Sequence, residues 1–175
     1  MSLRSAAAGA IISLSLATPS LADDIAALQS SIASFSEAMM EQDYERIVDV
    51  VPRRVLEMMA GYANTDPETL RSAMIQQTRD VVASTEVLEF SIDATALSLQ
   101  STENGVSYAF LPTETLVMIP GTGKVRSETS TLAVFDDERW YFASIDSDQQ
   151  ATVIREAYPG FKAIDFPGGS SKVVE

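Results

Sequence analysis

Two residue types are missing from this 175-residue chain: it has no cysteine and no histidine. Without cysteine, no disulfide staples the fold and no lipid can be attached at a lipoprotein cysteine, so packing alone must stabilise it. Without histidine there is no Ser-His-Asp triad, no Cys-His pair, no imidazole base, and no His-ligated zinc or iron. Positive charge is also scarce. Twelve Lys and Arg stand against 25 Asp and Glu, a formal net charge of −13, so phosphate backbones and anionic lipid surfaces repel the chain and nucleic acid is not an expected partner. No phosphate loop, dinucleotide fingerprint or nucleophile elbow occurs. Asp146-Ser147-Asp148 begins like a calcium loop, but the sixth position is Ala151 instead of Gly and the twelfth is Ala157 instead of Glu. Neither a metal nor a cofactor is expected.

What is present begins with "MSLRSAAAGAIISLSLATPSLADD". One basic residue, Arg4, precedes an apolar run from Ala6 to Leu16. Pro19 breaks it, and Ser20 and Ala22 are the small residues that a signal peptidase selects. This pattern predicts a signal peptide over residues 1–22, cleaved after Ala22, and a periplasmic or secreted protein with no membrane association after cleavage. The run is too interrupted to supply the ~20 apolar residues of a spanning helix. No linker divides the remainder, which reads as one domain over 23–167 followed by a flexible Gly/Ser tail over 168–175.

Ile25, Leu28, Ile32, Phe35 and Met39 recur at helical spacing. Pro52 opens a new helical turn, and "NTDPETL" starts a further helix with Leu70, Met74, Gln77 and Val81 along one side. After Ser84 the period becomes two: Leu88, Phe90 and Ile92 alternate with Glu89 and Ser91. Turn signals at Asn104-Gly105, Pro120 to Gly123 and Asp136 to Arg139 describe an antiparallel meander. Ser147, with Gln150 three residues on, predicts a short C-terminal helix.

An even-numbered connection at Pro120 to Gly123 sets Glu114 opposite Thr129 and Leu116 opposite Ser127. A four-residue turn at Asp136 to Arg139 sets Phe135 opposite Trp140 and Ala133 opposite Phe142. Alternation then gathers Tyr108, Phe110, Glu114, Thr129, Trp140 and Phe142 on one face, an aromatic inventory with a few polar groups that is typical of a pocket. These six are the candidate ligand-binding residues. The opposite face collects Leu111, Val117, Ile119, Leu132, Val134, Tyr141 and Ile145, an apolar surface that fits a homodimer through the outer sheet face or a covering helix. Glu114 has three readings: a desolvated general base with Tyr108 as hydrogen-bond donor, a carboxylate satisfied by Thr129 and Ser127 at a cavity rim, or a side chain turned outward by a bulge at Pro112.

The segments "SFSEAMMEQDYERIVDVVPRRVLEMM" and "TSTLAVFDDERWYFASID", helices first and a strand hairpin last, resemble the nuclear transport factor 2-like superfamily. That resemblance implies an α+β cone: N-terminal helices packed on a curved antiparallel sheet, with a short C-terminal helix. The superfamily includes ketosteroid-isomerase-like enzymes that work with carboxylate and tyrosine. It also includes dehydratase-like relatives, whose His-Asp pair this chain lacks, and proteins that only bind ligands or dimerise. The reading is therefore non-catalytic binding of a small, largely apolar ligand or an accessory interaction role. Its alternatives are an isomerase or cyclase using Glu114 and Tyr108, and a purely structural dimeric module.

Overall fold

Two long strands, joined by "IPGTG", organise the protein. A computed structural model describes residues 21–83, 85–95 and 97–174; the expected signal peptide lies outside these residues except for Leu21 and Ala22. Four helices come first, α1 (Leu21–Glu41), α2 (Tyr44–Asp49), α3 (Arg53–Tyr62) and α4 (Pro67–Ala83). Strands β1 (Glu86–Ile92), β2 (Gln100–Ser101), β3 (Ser107–Ile119), β4 (Gly123–Asp136) and β5 (Arg139–Ser144) follow, then α5 (Asp148–Ala157), a short 3-10 turn (Pro159–Phe161) and β6 (Ser170–Val174). The class is α+β, with helices on a curled, wholly antiparallel sheet.

Local chemistry sets the helix boundaries. Asp43 accepts the Arg46 amide at 3.1 Å, Asp66 accepts the Thr69 amide at 2.9 Å, and Ser147 accepts the Gln150 amide at 3.3 Å. The Gln150 side chain returns to the Asp146 amide at 2.7 Å, closing a box at the start of α5. Leu28 and Ile32 of α1 are buried, as the sequence stripe requires. On α4 the stripe differs from the expectation. Val81 is 56% exposed, and the half-buried positions run Leu70, Met74, Thr78, Val82, so the helix turns Gln77 and Val81 away.

The sheet order is β1-β3-β4-β5, with β2 also on β3 and β6 also on β4. Each flank of the central hairpin is thus shared by two short strands. β5 covers Thr131 to Asp136, and β6 covers Lys124 to Glu128. Within the tail expected to be flexible, Ser170 to Val174 pair with an edge of β4 that β5 is too short to reach.

Register decides which residues meet. Pro120 and Gly121 occupy the centre of a turn in which the Thr122 amide donates to the Ile119 carbonyl at 3.1 Å and Gly121 has φ +79°. A type II turn needs such a glycine at its third position. Thr122 then completes a three-residue loop before Gly123 pairs with Ile119. The odd length overturns the expected pairing. Glu114 faces Glu128, not Thr129, and Leu116 faces Arg126, not Ser127. At the next hairpin Asp137 and Glu138, both with positive φ, form a two-residue loop, and Phe135 faces Trp140 and Ala133 faces Phe142 as expected.

The two sheet faces build two cores. On one, Leu28 and Ile32 of α1 cover Ala109, Leu111, Ala133, Trp140 and Phe142. On the other, Ala151, Ile154, Tyr158 and Phe161 cover Tyr108, Leu132, Val134 and Tyr141. The apolar outer face expected to favour a homodimer is therefore split: Leu132, Val134, Tyr141 and Ile145 lie beneath the chain's own C-terminal helix, and Leu111 faces α1. Gly160 is pressed on Thr102, where a Cβ would stand 2.8 Å from the threonine Cβ, so only glycine permits this approach.

The second core is tied to the hairpin by Tyr158, 2% exposed, whose hydroxyl donates to Asp136 at 2.9 Å. Arg54 grips the same carboxylate at 2.8 and 3.2 Å. Burial, and then this hydrogen bond, push the Tyr158 phenol well above its ordinary value of 10.0. Stability from this group is fully present below about pH 10 and is lost as pH rises beyond it. Tyr158→Phe is expected to cost about 1–3 kcal/mol at pH 7 and to flatten the fall in stability above pH 10, read from urea melts. Deleting residues 168–175 should accelerate hydrogen exchange at the outward amides of 124–128 and leave the protection of β5 unchanged.

Candidate functional site

The face of the hairpin that α1 covers is apolar only in its upper half. Below Leu111 it carries Thr113 and Thr115 on β3, Ser127, Thr129 and Thr131 on β4, and Ser144 on β5. Thr113 lies beside Thr129, Thr115 beside Ser127, and Thr131 beside Ser144. Alternating hydroxyls along two paired strands must stand on one face. α1 passes over this floor and leaves a cleft of about 450 Å³.

Aromatic rings form its roof and one end. Phe35 of α1 stacks on Phe142 at 5.2 Å and meets Phe90 edge-on at 5.6 Å. Met39, one turn further along α1, continues the roof, and Gly169, Ser170 and Ser171 form the far wall. The C-terminal strand is thus part of the cleft.

Some hydroxyls are committed. Thr113 donates to the Leu111 carbonyl at 3.1 Å, so in the 2.7 Å contact between Thr113 and Thr131 the proton comes from Thr131. Ser127 bonds Ser171 at 2.8 Å, and Ser144 donates to Asp146 at 2.7 Å. Among the described residues no hydrogen bond occupies the Thr115 and Thr129 hydroxyls. Asp146 is the only ionisable group among the described lining residues. The arrangement offers neutral donors and acceptors under an apolar lid.

The six residues expected to share a site do not. Thr129 and Phe142 line the cleft. Trp140 is on the same face but deeper, packed with Leu28 and Ile32, and borders a smaller cavity of about 240 Å³ beneath α1. Tyr108, Phe110 and Glu114 lie on the opposite face. Tyr108 donates to Gln100 at 2.7 Å, and Phe110 packs against Tyr108 and Phe166.

Glu114 is a half-buried residue on the face away from the cleft. Its side chain is 44% exposed and paired with Arg126, which also lies 3.6 Å from Glu89. It belongs to a charged patch with Glu128 and Lys172, 3.4 Å apart. Neither Thr129 nor Ser127 satisfies it, and β3 runs past Pro112 without a bulge; the irregularity falls in β1, between Val87 and Glu89. Six residues of strand put Glu114 about 20 Å from Tyr108. The two groups cannot converge on one substrate atom.

Sequence reasoning missed Phe35, Met39, Phe90, Thr113 and Thr115 as lining residues. An even-numbered connection would set Thr113 and Thr115 on the face away from Thr129, whereas the three-residue loop sets them beside Thr129 and Ser127. The chain matches no protein-family model and no curated protein sequence.

Thr113→Val leaves the buried Thr131 hydroxyl without its acceptor and is expected to cost about 1–3 kcal/mol. Glu114→Gln breaks an exposed ion pair and should shift stability by less than about 1 kcal/mol. Paired denaturant melts check the ranking.

Proposed function

We propose that this chain is an exported, non-catalytic binding protein whose ligand occupies the cleft between α1 and the hydroxyl-bearing half of the sheet. We also place it with the nuclear transport factor 2-like cone folds. That placement is supported by helices ahead of a curled antiparallel sheet in which α1 crosses the concave face. The export reading is supported by the basic, apolar and small-residue order of residues 4–22.

One observation carries the binding reading. The cleft pairs a roof of Phe35, Phe90 and Met39 with a floor of threonine and serine hydroxyls, and holds Asp146 as its single carboxylate among the described lining residues. Apolar walls with a few converging polar groups are the usual make-up of small-molecule sites. General acid-base work needs a group within reach of the proton it moves, and the one carboxylate here, Asp146, already accepts from Ser144 at 2.7 Å. The cleft supplies uncharged hydrogen-bonding groups instead, so the ligand has an apolar body and groups that hydrogen-bond to Thr115 and Thr129. This is a more polar ligand than the aromatic inventory of the sequence suggested.

A thermal-shift screen with sterols, aromatic acids, alkyl glycosides and acylglycerols tests the reading. A ligand at 100 times its Kd adds about 2.7 kcal/mol, which raises Tm by roughly 5–10 °C for a domain of this size. Thr115→Trp fills the cleft and should abolish that shift. A panel without a hit, or a shift that survives Thr115→Trp, would count against the cleft.

A further inference from the structure

We infer that the ligand of this cleft is a neutral, single-chain amphiphile. Its head bonds the hydroxyl floor, and its hydrocarbon tail runs past the Phe35–Phe142 stack into a second, apolar chamber. The inference rests on the binding reading above and supplies the chemical class of the ligand.

The second chamber, about 370 Å³, lies between the α2–α3 corner and the start of α5. Val51, Val55, Met59, Val153 and Ile154 line it, and no ionisable side chain does so among the described residues. It shares Phe35, Phe142 and Ser144 with the hydroxyl cleft, so the stacked Phe35 and Phe142 rings stand between the two spaces and Ser144 borders both. Each space alone is near the lower end of small-molecule sites. Side by side they present hydrogen-bonding groups on one side of the Phe35–Phe142 stack and mainly aliphatic side chains on the other.

Charge selects the head. The cleft has no basic lining residue among those described, Asp146 stands on its wall, and the whole chain carries −13. A carboxylate or phosphate head would meet like charge and find no partner. Hydroxyls of a glycerol or sugar head would find both donors and acceptors at Thr115 and Thr129.

Calorimetric titration of the protein with 1-monoacylglycerols of six to fourteen carbons, held below their critical micelle concentrations, tests the proposal. Affinity is expected to rise roughly fourfold per methylene until the chamber is full. The fatty acid of equal length should bind at least tenfold more weakly. Val153→Trp should flatten the dependence on chain length, the hexanoyl compound losing least. Met59→Phe provides a second, milder obstruction, and circular dichroism checks that each variant folds.

Equal affinity across the wild-type series, or a slope unchanged in both variants, overturns the tail chamber while leaving the cleft as a binding site. Tighter binding of the fatty acid overturns the neutral head. If no acylglycerol binds, the amphiphile is overturned, and the fate of the cleft is decided separately by the thermal-shift panel and Thr115→Trp.

Discussion

The constraint on which the rest depends is the three-residue loop between β3 and β4. A hairpin that long transmits its register over its entire length, because side chains alternate strictly and a slip of one residue exchanges the faces. Pro120 and Gly121 fix a type II turn, Thr122 makes the count odd, and every pair from Ile119–Gly123 to Tyr108–Val134 follows. Thr113 and Thr115 are thereby set beneath α1, and Glu114 is set on the opposite face beside Arg126. One residue more or fewer would bury the acid and expose the threonines.

A hairpin longer than its neighbours also creates an edge problem, since unpaired strand edges invite further pairing. Here four short strands divide the two flanks. β1 and β2 share β3, and β5 and β6 share β4. Filling the flanks with separate segments lets the sheet curl and lets its faces be covered unevenly. α1 lies over one face, while α5 and the 3-10 turn lie over the upper part of the other. Where α1 stands off the sheet, the floor turns from aliphatic to hydroxyl.

Much of this was legible in the residues. The spacing of Leu28, Ile32 and Phe35 gave α1, the Ser147 and Gln150 pair gave α5, and the alternation through Phe90, Leu132 and Phe142 gave the strands. Within β4 and β5 the faces were also correct, which is why Thr129 and Phe142 do line the cleft. The errors share one physical origin. Sequence alternation defines faces within a strand, but the relation between strands passes through loop length, where one residue reverses the outcome. Tyr108, Phe110 and Glu114 were misplaced together for that reason. The C-terminal strand was illegible on different grounds: "GGSSKVV" has weak intrinsic order, and it pairs because an open edge awaits it.

Trp140 is the chain's single tryptophan. It is 95% withdrawn from solvent, wedged between α1 and the sheet, and its indole nitrogen has no protein partner. Its neighbours Leu28 and Ile32 belong to α1, and its strand neighbour Phe142 stacks on Phe35. The aromatic residues of the other core are phenylalanine and tyrosine. The protein consequently carries a built-in optical reporter: indole emission registers the seating of α1 on the sheet.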